Sequence, residues 1–463
     1  MKRVRRPVKW LITACVTLAC LFGVSGLLKP KNISMKTGEF YQYPDDYDVW
    51  FFGSSHTVMG ISPLEIYRRT GITSYNLADY GQWIPVDYWI MRCALEKQTP
   101  KLVVIDTYGA FWDVKYSDIH FAYLHEMIDP IPLSKTKIEM IRDLFGDSYL
   151  GEFLFPFSAH HSRWAELSEK DFRKTDKGFE KGADVNAFLG TKTEDIYARF
   201  DIPEPAGPEV RMEGTNTGLE YLEKMIVYLQ ERNIDVLLVN TPFYCGLEQI
   251  QAMNSASAIG EKYGCKNIST QYIKGLLNGY TDLRDIGHLN SSGTVKWSDY
   301  LADFIVKNYP DIKDRRSDKE LDARWQNSIG RYRAFMDQKL NEEEKLYDWL
   351  VMASDKDYDV MIRLNQDAFV YDDKYIMALI HNISDYPGLD AAMRQRAAFT
   401  GVTGHPERFA DRSLLDRSQT SADIEITVLN KESGELVAQE RFRLNHDDSS
   451  LKVYDKLEKE EWQ

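Results

Sequence analysis

Two short segments of this 463-residue sequence carry residue types that can perform nucleophilic catalysis. The first, Gly53-Ser54-Ser55, directly follows a short apolar run. A small residue before a serine lets the chain turn sharply, which exposes the hydroxyl beside free N–H groups of the turn. The second segment begins at Asp285 and has His288 three residues later. This spacing can place the carboxylate on the far imidazole nitrogen, which fixes the tautomer and supports the cation that forms when a serine is deprotonated.

Each segment alone is a weak signal, because Gly-Ser-Ser turns occur in many loops and a single histidine is more often structural. The elements around them bring the two together. Short apolar strands alternate with amphipathic helices, which predicts a parallel sheet covered on both faces. In such sheets the sites lie at the carboxyl ends of the strands, so both segments should meet on one rim. The predicted strands are 48–52, 72–75, 102–106, 235–240 and a stretch near Ile268; the predicted helices are 63–69, 85–97, 217–232, 247–263 and 292–309.

With this arrangement, residues 45–309 resemble the SGNH/GDSL esterase superfamily. The resemblance implies a flavodoxin-like parallel sheet flanked by helices. It also implies that Ser55 is the nucleophile, His288 the base and Asp285 its orienting partner. Ser54 stands where the family often has Asp. That variant resembles the DltD and AlgJ/AlgX-like branches, whose members work on cell-envelope polymers.

The resemblance also implies an oxyanion hole, which stabilises the negative charge of the transition state. The family's second block fits residues 75–81, with the Gly81 N–H as donor and Asn76 beside it. The third block normally supplies an Asn side chain after the third strand, but residues 106–109 read Asp-Thr-Tyr-Gly. The third donor is therefore either absent or supplied by another group. Asn240 follows the fourth strand and is expected to be structural.

Two neighbours of the serine are candidate substrate-side residues. Ser54 precedes it, and His56 follows it. Side chains of adjacent residues on a sharp turn diverge, so His56 is expected to contact substrate or to pack against the turn rather than to act as the base.

The N-terminal segment has the pattern of a membrane anchor. A basic cluster precedes an uncharged apolar run of 19 residues over 10–28, close to the ~20 residues that span a bilayer as a helix. The basic flank predicts that residues 1–30 are a cytoplasmic flank and anchor, and that the rest of the chain is exported. A cleaved signal peptide, with a weak cleavage site at 24–26, and a lipoprotein at Cys20 are the competing interpretations.

The rest of the chain divides by composition. An aromatic-rich insertion over 113–214 is either a lid or binding element or a variable decoration. Residues 311–345 predict a helical connector, and 346–463 a small α+β domain with strands at 358–364 and 376–383 and a hairpin over 422–444. A chain that ends near Pro310 is expected to fold by itself. Within the insertion, a sugar-binding rim or a solvated loop is formed by His160, His161, Arg163 and Trp164.

Several functional classes lack support in the sequence. The net charge of -14 argues against nucleic-acid binding. No CxxC pair occurs among the cysteines, so a zinc ribbon and a redox motif are unsupported. Two of the five cysteines lie in the N-terminal apolar segment, so a disulfide framework is unsupported as well. No GxGxxG, GxxxxGK[ST] or HExxH motif is present, so neither a cofactor nor a metal is expected. The five cysteines are Cys15, Cys20, Cys93, Cys245 and Cys265.

Two hypotheses of different classes remain. The first is an extracytoplasmic O-acyl esterase or O-acyltransferase that acts on an envelope polysaccharide or a teichoic-acid-like polymer through an acyl-serine intermediate. A transferase would need a multi-span membrane partner, such as a membrane-bound O-acyltransferase, to deliver acyl groups. The second is a non-catalytic surface binding or assembly protein on a decayed SGNH fold. The missing third-block Asn favours the second hypothesis, and the intact Ser55, Asp285 and His288 favour the first.

Overall fold

The computed structural model describes residues 6–28, 35–42, 47–155, 161–167, 204–409, 422–447 and 452–457. In this part of the chain the first sheet has five strands, all parallel, in the order β2-β1-β3-β4-β5. This is the flavodoxin-like order, in which the direction of winding reverses between β1 and β3. The strands are β1 Val49–Phe52, β2 Ser74–Asn76, β3 Leu102–Asp106, β4 Asp235–Val239 and β5 Lys266–Ile268.

Helices cover both faces of this sheet, and their ends follow local sequence signals. The helix Pro63–Thr70 begins with Pro at its first position, and the Ser62 hydroxyl accepts the Glu65 N–H. It ends at Gly71, which adopts a left-handed conformation with φ of 74°. The other helices around the sheet are Ser55–Gly60, Ile84–Ala94, Phe121–Ile128, Lys135–Leu144, Leu150–Leu154, Thr217–Gln230, Leu247–Lys262 and Ser291–Asn308.

The second sheet is antiparallel and lies C-terminal to the long helix Lys319–Glu342. Its strand order is β10-β9-β8-β6-β7. The expected strand at 358–364 and the expected hairpin are both present. The strands are β6 Tyr358–Leu364, β7 Phe399–Val402, β8 Ile424–Asn430, β9 Leu436–Asp447 and β10 Lys452–Lys456, and the helices are Leu346–Ala353, Lys374–Ile383 and Leu389–Gln395.

The strand predicted over 376–383 is wrong, because Lys374–Ile383 is a helix. The Asp373 side chain caps it by accepting the N–H groups of Tyr375 and Ile376. Short apolar runs do not distinguish a buried strand from a buried helix. Here the acidic cap and the burial of positions 376, 377, 379 and 380 on one face give the helix.

The two sheets share one continuous apolar core, which extends from Phe40 to Tyr454. Trp325 of the long helix is 2% exposed and stacks on Tyr67 with ring centroids 4.3 Å apart. This packing opposes the expectation that a chain ending near Pro310 folds by itself, because truncation would expose the core face of the helix Pro63–Thr70.

The N-terminal helix Arg6–Leu28 is long and apolar enough to span a membrane. Its window Val8–Ser25 has a mean hydropathy of 1.8 and is 6% buried. The helix Met35–Gln42 follows it and packs near the sheet, with Phe40 in the core.

Candidate functional site

The candidate nucleophile lies in a turn that only glycine permits. Gly53 directly follows β1 and has φ of 151°, a conformation that residues with a side chain rarely adopt. A Cβ at this position would overlap Thr57 Oγ1 and lie 2.8 Å from Asp106 Cβ. The turn leads directly into the helix Ser55–Gly60, which will be called the nucleophile helix. Its first N–H groups, those of Ser55 and His56, have no preceding helical carbonyl to accept them.

Ser55, His288 and Asp285 form one hydrogen-bonded chain. The Ser55 Oγ lies 2.8 Å from His288 Nε2. On the far side of the ring, His288 Nδ1 lies 2.7 Å from Asp285 Oδ1 and 3.0 Å from Oδ2. A proton on Nδ1 directed to the carboxylate leaves Nε2 as acceptor for the serine O–H. All three residues remain partly exposed, whereas Gly53 and Ser54 are buried.

The charge on Asp285 is supported by its surroundings. Burial acts to raise the pKa of this carboxyl. Hydrogen bonding to His288 and the other local contacts lower the pKa by more than burial raises it, so the net pKa lies below the ordinary value. The Gly287 N–H donates to Oδ1 at 2.8 Å, and Arg284 lies 3.9 Å from Oδ2. An ionised carboxylate in this position stabilises the imidazolium that would form on proton transfer.

A buried polar network fixes the loop that carries Asp285 and His288. Leu283 and Leu289 form an isolated antiparallel bridge that closes the loop. Just before the loop, the fully buried Asp282 accepts Lys296 Nζ at 2.7 Å. Asn382, on the helix Lys374–Ile383, accepts the same Lys296 at 2.7 Å. The helix Lys374–Ile383, where the sequence pattern predicts a strand, therefore supports this loop.

His56 is a packing residue beside the imidazole of His288. It is 4% exposed and stacks on Tyr108 with ring centroids 3.7 Å apart. Its ring lies edge-on to Phe243 at 4.5 Å and to His288 at 5.2 Å. Burial first, and then the His288 charge, hold the pKa of His56 well below its ordinary value. A neutral ring here avoids a second cation beside the imidazolium that would form on His288.

Ser54, predicted on the substrate side, and Asn76, predicted beside the oxyanion donor, are both buried. Ser54 is 4% exposed, and its hydroxyl has no partner among the described residues. The Asn76 amide donates to the carbonyls of Thr57 and Ile61 at 2.9 Å each, and its oxygen accepts the Ala78 N–H. With both amide hydrogens donated to protein carbonyls, Asn76 holds the nucleophile helix against β2.

Gly81, the predicted oxyanion donor, has φ of 66° and lies under a residue of the insertion. A Cβ there would overlap the His120 ring and lie 2.6 Å from the His120 Cβ. The insertion thus contacts the loop after β2 that carries the predicted oxyanion donor. Asn240 is 1% exposed and donates to Thr107 Oγ1, which ties the ends of β3 and β4 together, as expected for a structural residue.

Asp106 is the positioning residue that the sequence analysis missed. It lies at the end of β3, 1% exposed, and accepts the Thr57 hydroxyl at 2.9 Å from the nucleophile helix. The N–H groups of Tyr108 and Thr241 also donate to it. One carboxylate thereby joins the nucleophile helix to the segments that follow β3 and β4. Its signal was an acidic residue that ends an otherwise apolar strand, Leu-Val-Val-Ile-Asp.

The predicted rim residues of the insertion are not brought to this site by any described contact. Arg163 donates to the Leu28 carbonyl at the end of the N-terminal helix, 2.8 Å away, and Trp164 is 66% exposed. His160 and the His161 side chain lie outside the described residues. Within the described ranges, no group of three His, Cys, Asp or Glu side chains is placed to hold a metal ion.

Fold and site together define a mixed α/β protein with a Ser–His–Asp hydrogen-bonded chain at the carboxyl edge of a parallel sheet. No family model matches the chain, and no curated protein matches it.

Proposed function

We propose that this chain is a membrane-anchored serine O-acyl esterase or O-acyltransferase of the SGNH type. The observation that carries the proposal is the continuous contact from Ser55 Oγ through the His288 ring to the Asp285 carboxylate, at 2.8 and 2.7 Å. Both distances fall within the range for a nucleophile–base and a base–orienter hydrogen bond.

The reaction follows from this geometry. The Ser55 oxygen attacks the carbonyl carbon of an ester while its proton passes to His288 Nε2. The carbonyl π electrons move to oxygen, and the collapse of this tetrahedral adduct expels the alkoxide, which takes the proton from His288. The product is an acyl-serine and a free alcohol. His288 then deprotonates a water or a polymer hydroxyl, whose attack releases the acyl group and restores Ser55.

The SGNH assignment rests on placement as well as residue type. The serine follows β1, the Asp and His precede the last helix around the parallel sheet, and both meet where the winding reverses between β1 and β3. Ligands of open α/β sheets bind at this place. The resemblance of the Gly-Ser-Ser variant to the DltD and AlgJ/AlgX-like branches supports an envelope polysaccharide or a teichoic-acid-like polymer as substrate.

The N-terminal helix supports an extracytoplasmic site. Its basic flank favours retention of the first residues in the cytoplasm, so the globular part would lie on the opposite side of the membrane. A single helix cannot carry acyl groups across the bilayer. For transfer rather than hydrolysis, the donor would come from a multi-span membrane protein such as a membrane-bound O-acyltransferase.

A fluorophosphonate probe tests the proposal, because phosphonylation needs the same activated serine oxygen. Full-length chain in detergent should be labelled, and Ser55→Ala should abolish labelling. The matched control is Ser54→Ala, which removes a buried hydroxyl without a described partner and should leave most of the labelling. His288→Ala should suppress it, and Asp285→Asn should reduce it by misplacing the imidazole.

The opposite results separate two conclusions. Labelling that persists in Ser55→Ala would move the nucleophile to another residue. A folded wild-type chain without labelling would favour the second candidate function, a binding or assembly protein on this fold. One observation favours that candidate: Asn76 and Asn240 are buried, and the amide N–H groups described for them donate to protein acceptors rather than toward Ser55. Removing one such donor costs about 3–4 kcal/mol of transition-state stabilisation in a serine protease.

A further inference from the structure

Part of the insertion contacts the end of the N-terminal helix. The rings of Phe22 and Phe155 lie 5.0 Å apart. The Arg163 guanidinium donates to the carbonyl of Leu28, the last residue of the helix, at 2.8 Å. Residues 150–155 and 161–166 will be called the anchor-contact segments.

The position of Phe22 sets the height of these segments. It lies inside the apolar window Val8–Ser25, near its C-terminal end. At a rise of about 1.5 Å per residue, Phe22 is roughly 5 Å from the end of that window. If the window crosses the hydrocarbon core, a ring that packs on Phe22 must lie at the boundary between the acyl chains and the headgroups. Phe155 is therefore at this boundary.

The exposed side chains nearby have the chemistry of that boundary. Trp164 is 66% exposed, which leaves a large amphipathic ring without protein cover. Tryptophan concentrates at membrane interfaces because its ring is apolar and its N–H seeks a polar partner. Arg163 beside it places a cation at the level of lipid phosphates.

The anchor-contact segments also pack against the element that reaches the candidate site. Phe153 stacks on His125 with centroids 4.4 Å apart, and His125 lies on the helix Phe121–Ile128. His120 immediately precedes this helix and lies over Gly81. It is five residues before His125, which is about 7.5 Å along a helix axis. Less than two helical turns thus separate the loop at Gly81 from the segments at the membrane boundary.

We infer that the anchor-contact segments insert into the headgroup zone of the bilayer that holds the N-terminal helix, with Trp164 in contact with lipid. The membrane then fixes the height of the globular part through two attachments, the helix and the insertion. The loop at Gly81 is then held near the lipid surface rather than at the end of a free tether. This inference requires the helix to span the membrane and does not depend on the proposed catalysis.

Fluorescence quenching by brominated lipid tests the inference. Full-length chain is reconstituted alone into phosphatidylcholine nanodiscs, with or without bromine at carbons 6 and 7 of one acyl chain. Trp164→Phe removes one of ten tryptophans, and it should lower the part of the emission that bromine quenches. The matched control is Trp83→Phe, because Trp83 is 4% exposed and packs on Trp112 with ring centroids 4.2 Å apart. This variant should lower total emission but leave the quenched part unchanged.

Equal quenched emission in wild type and Trp164→Phe would overturn the inference, because Trp164 would then not touch lipid. Since no partner is present in the nanodiscs, that result would leave Trp164 as a contact for another protein. A wild type that is folded and quenched more than Trp164→Phe supports lipid contact whether or not the chain reacts with a fluorophosphonate. The two proposals therefore fail separately.

Discussion

Gly53→Ala should damage the candidate site far more than it damages the fold. At φ of 151° a Cβ-bearing residue is strained, which costs about 1–3 kcal/mol. The new Cβ would also overlap Thr57 Oγ1 and lie 2.8 Å from Asp106 Cβ, and overpacking of this kind costs about 1–3 kcal/mol. The sum of about 2–6 kcal/mol is within the ~5–15 kcal/mol that stabilise a typical domain. The chain should therefore relieve the clash by moving the turn, which carries Ser55 away from His288.

The expected loss of reactivity follows from that displacement. A shift of about 1 Å at a reacting centre lowers rates by roughly 10²-fold, so fluorophosphonate labelling of Gly53→Ala should slow by about two orders of magnitude. Urea unfolding measured by circular dichroism gives the accompanying loss of stability. Gly330→Ala is the matched control, because Gly330 lies on the exposed face of the helix Lys319–Glu342 and has open space around its Cβ position. The free energy of unfolding of this variant should rise by about 1 kcal/mol, and its labelling should be normal. Normal labelling of a folded Gly53→Ala would refute the reasoning.

Three further predictions concern the junction between the sheets. Trp325→Ala removes the buried ring that stacks on Tyr67, and it should lower the free energy of unfolding in urea by about 3–5 kcal/mol. A chain that ends at Pro310 should lack fixed side-chain packing, measured by near-UV circular dichroism. A cooperative unfolding transition in that chain would contradict the shared core. Burial first, and then the charges of Asp357 and Glu65, raise the pKa of Asp355 to about 7. Because the folded state holds this proton and the unfolded state releases it near pH 4, the contribution of Asp355 to stability should fall as the pH rises from about 4 to about 7. Urea midpoints across that range should fall less in Asp355→Asn, and identical slopes in the two proteins would exclude the effect.

Local signals predicted the parallel sheet closely. Strand β3 matches its prediction of 102–106, because a run of four β-branched or other apolar residues, ended by Asp106 before a turn, is typical of a buried strand. The Ser62 cap and Pro63 predicted the start of their helix for the same reason, since the capping residues lie next to the backbone groups they satisfy. The strand prediction for residues 376–383 was wrong, because whether this apolar run forms a helix depends on which of its side chains the rest of the protein buries.

The sequence by itself determined which residue types could form a nucleophile, a base and an orienting carboxylate, because a sharp turn after a strand and a DxxH spacing are local properties. It also determined the length and apolarity of the N-terminal helix. Only the tertiary structure decided that Ser55 and His288, 233 positions apart, lie 2.8 Å from each other. It likewise decided that the Asn76 amide binds the nucleophile helix and that Asp106 joins this helix to the segments after β3 and β4. It also decided that Asn382 supports the loop that carries His288. These are contacts between segments that are distant in sequence. No local pattern encodes them, because each depends on how the parallel sheet packs and on where the helix Lys374–Ile383 lies.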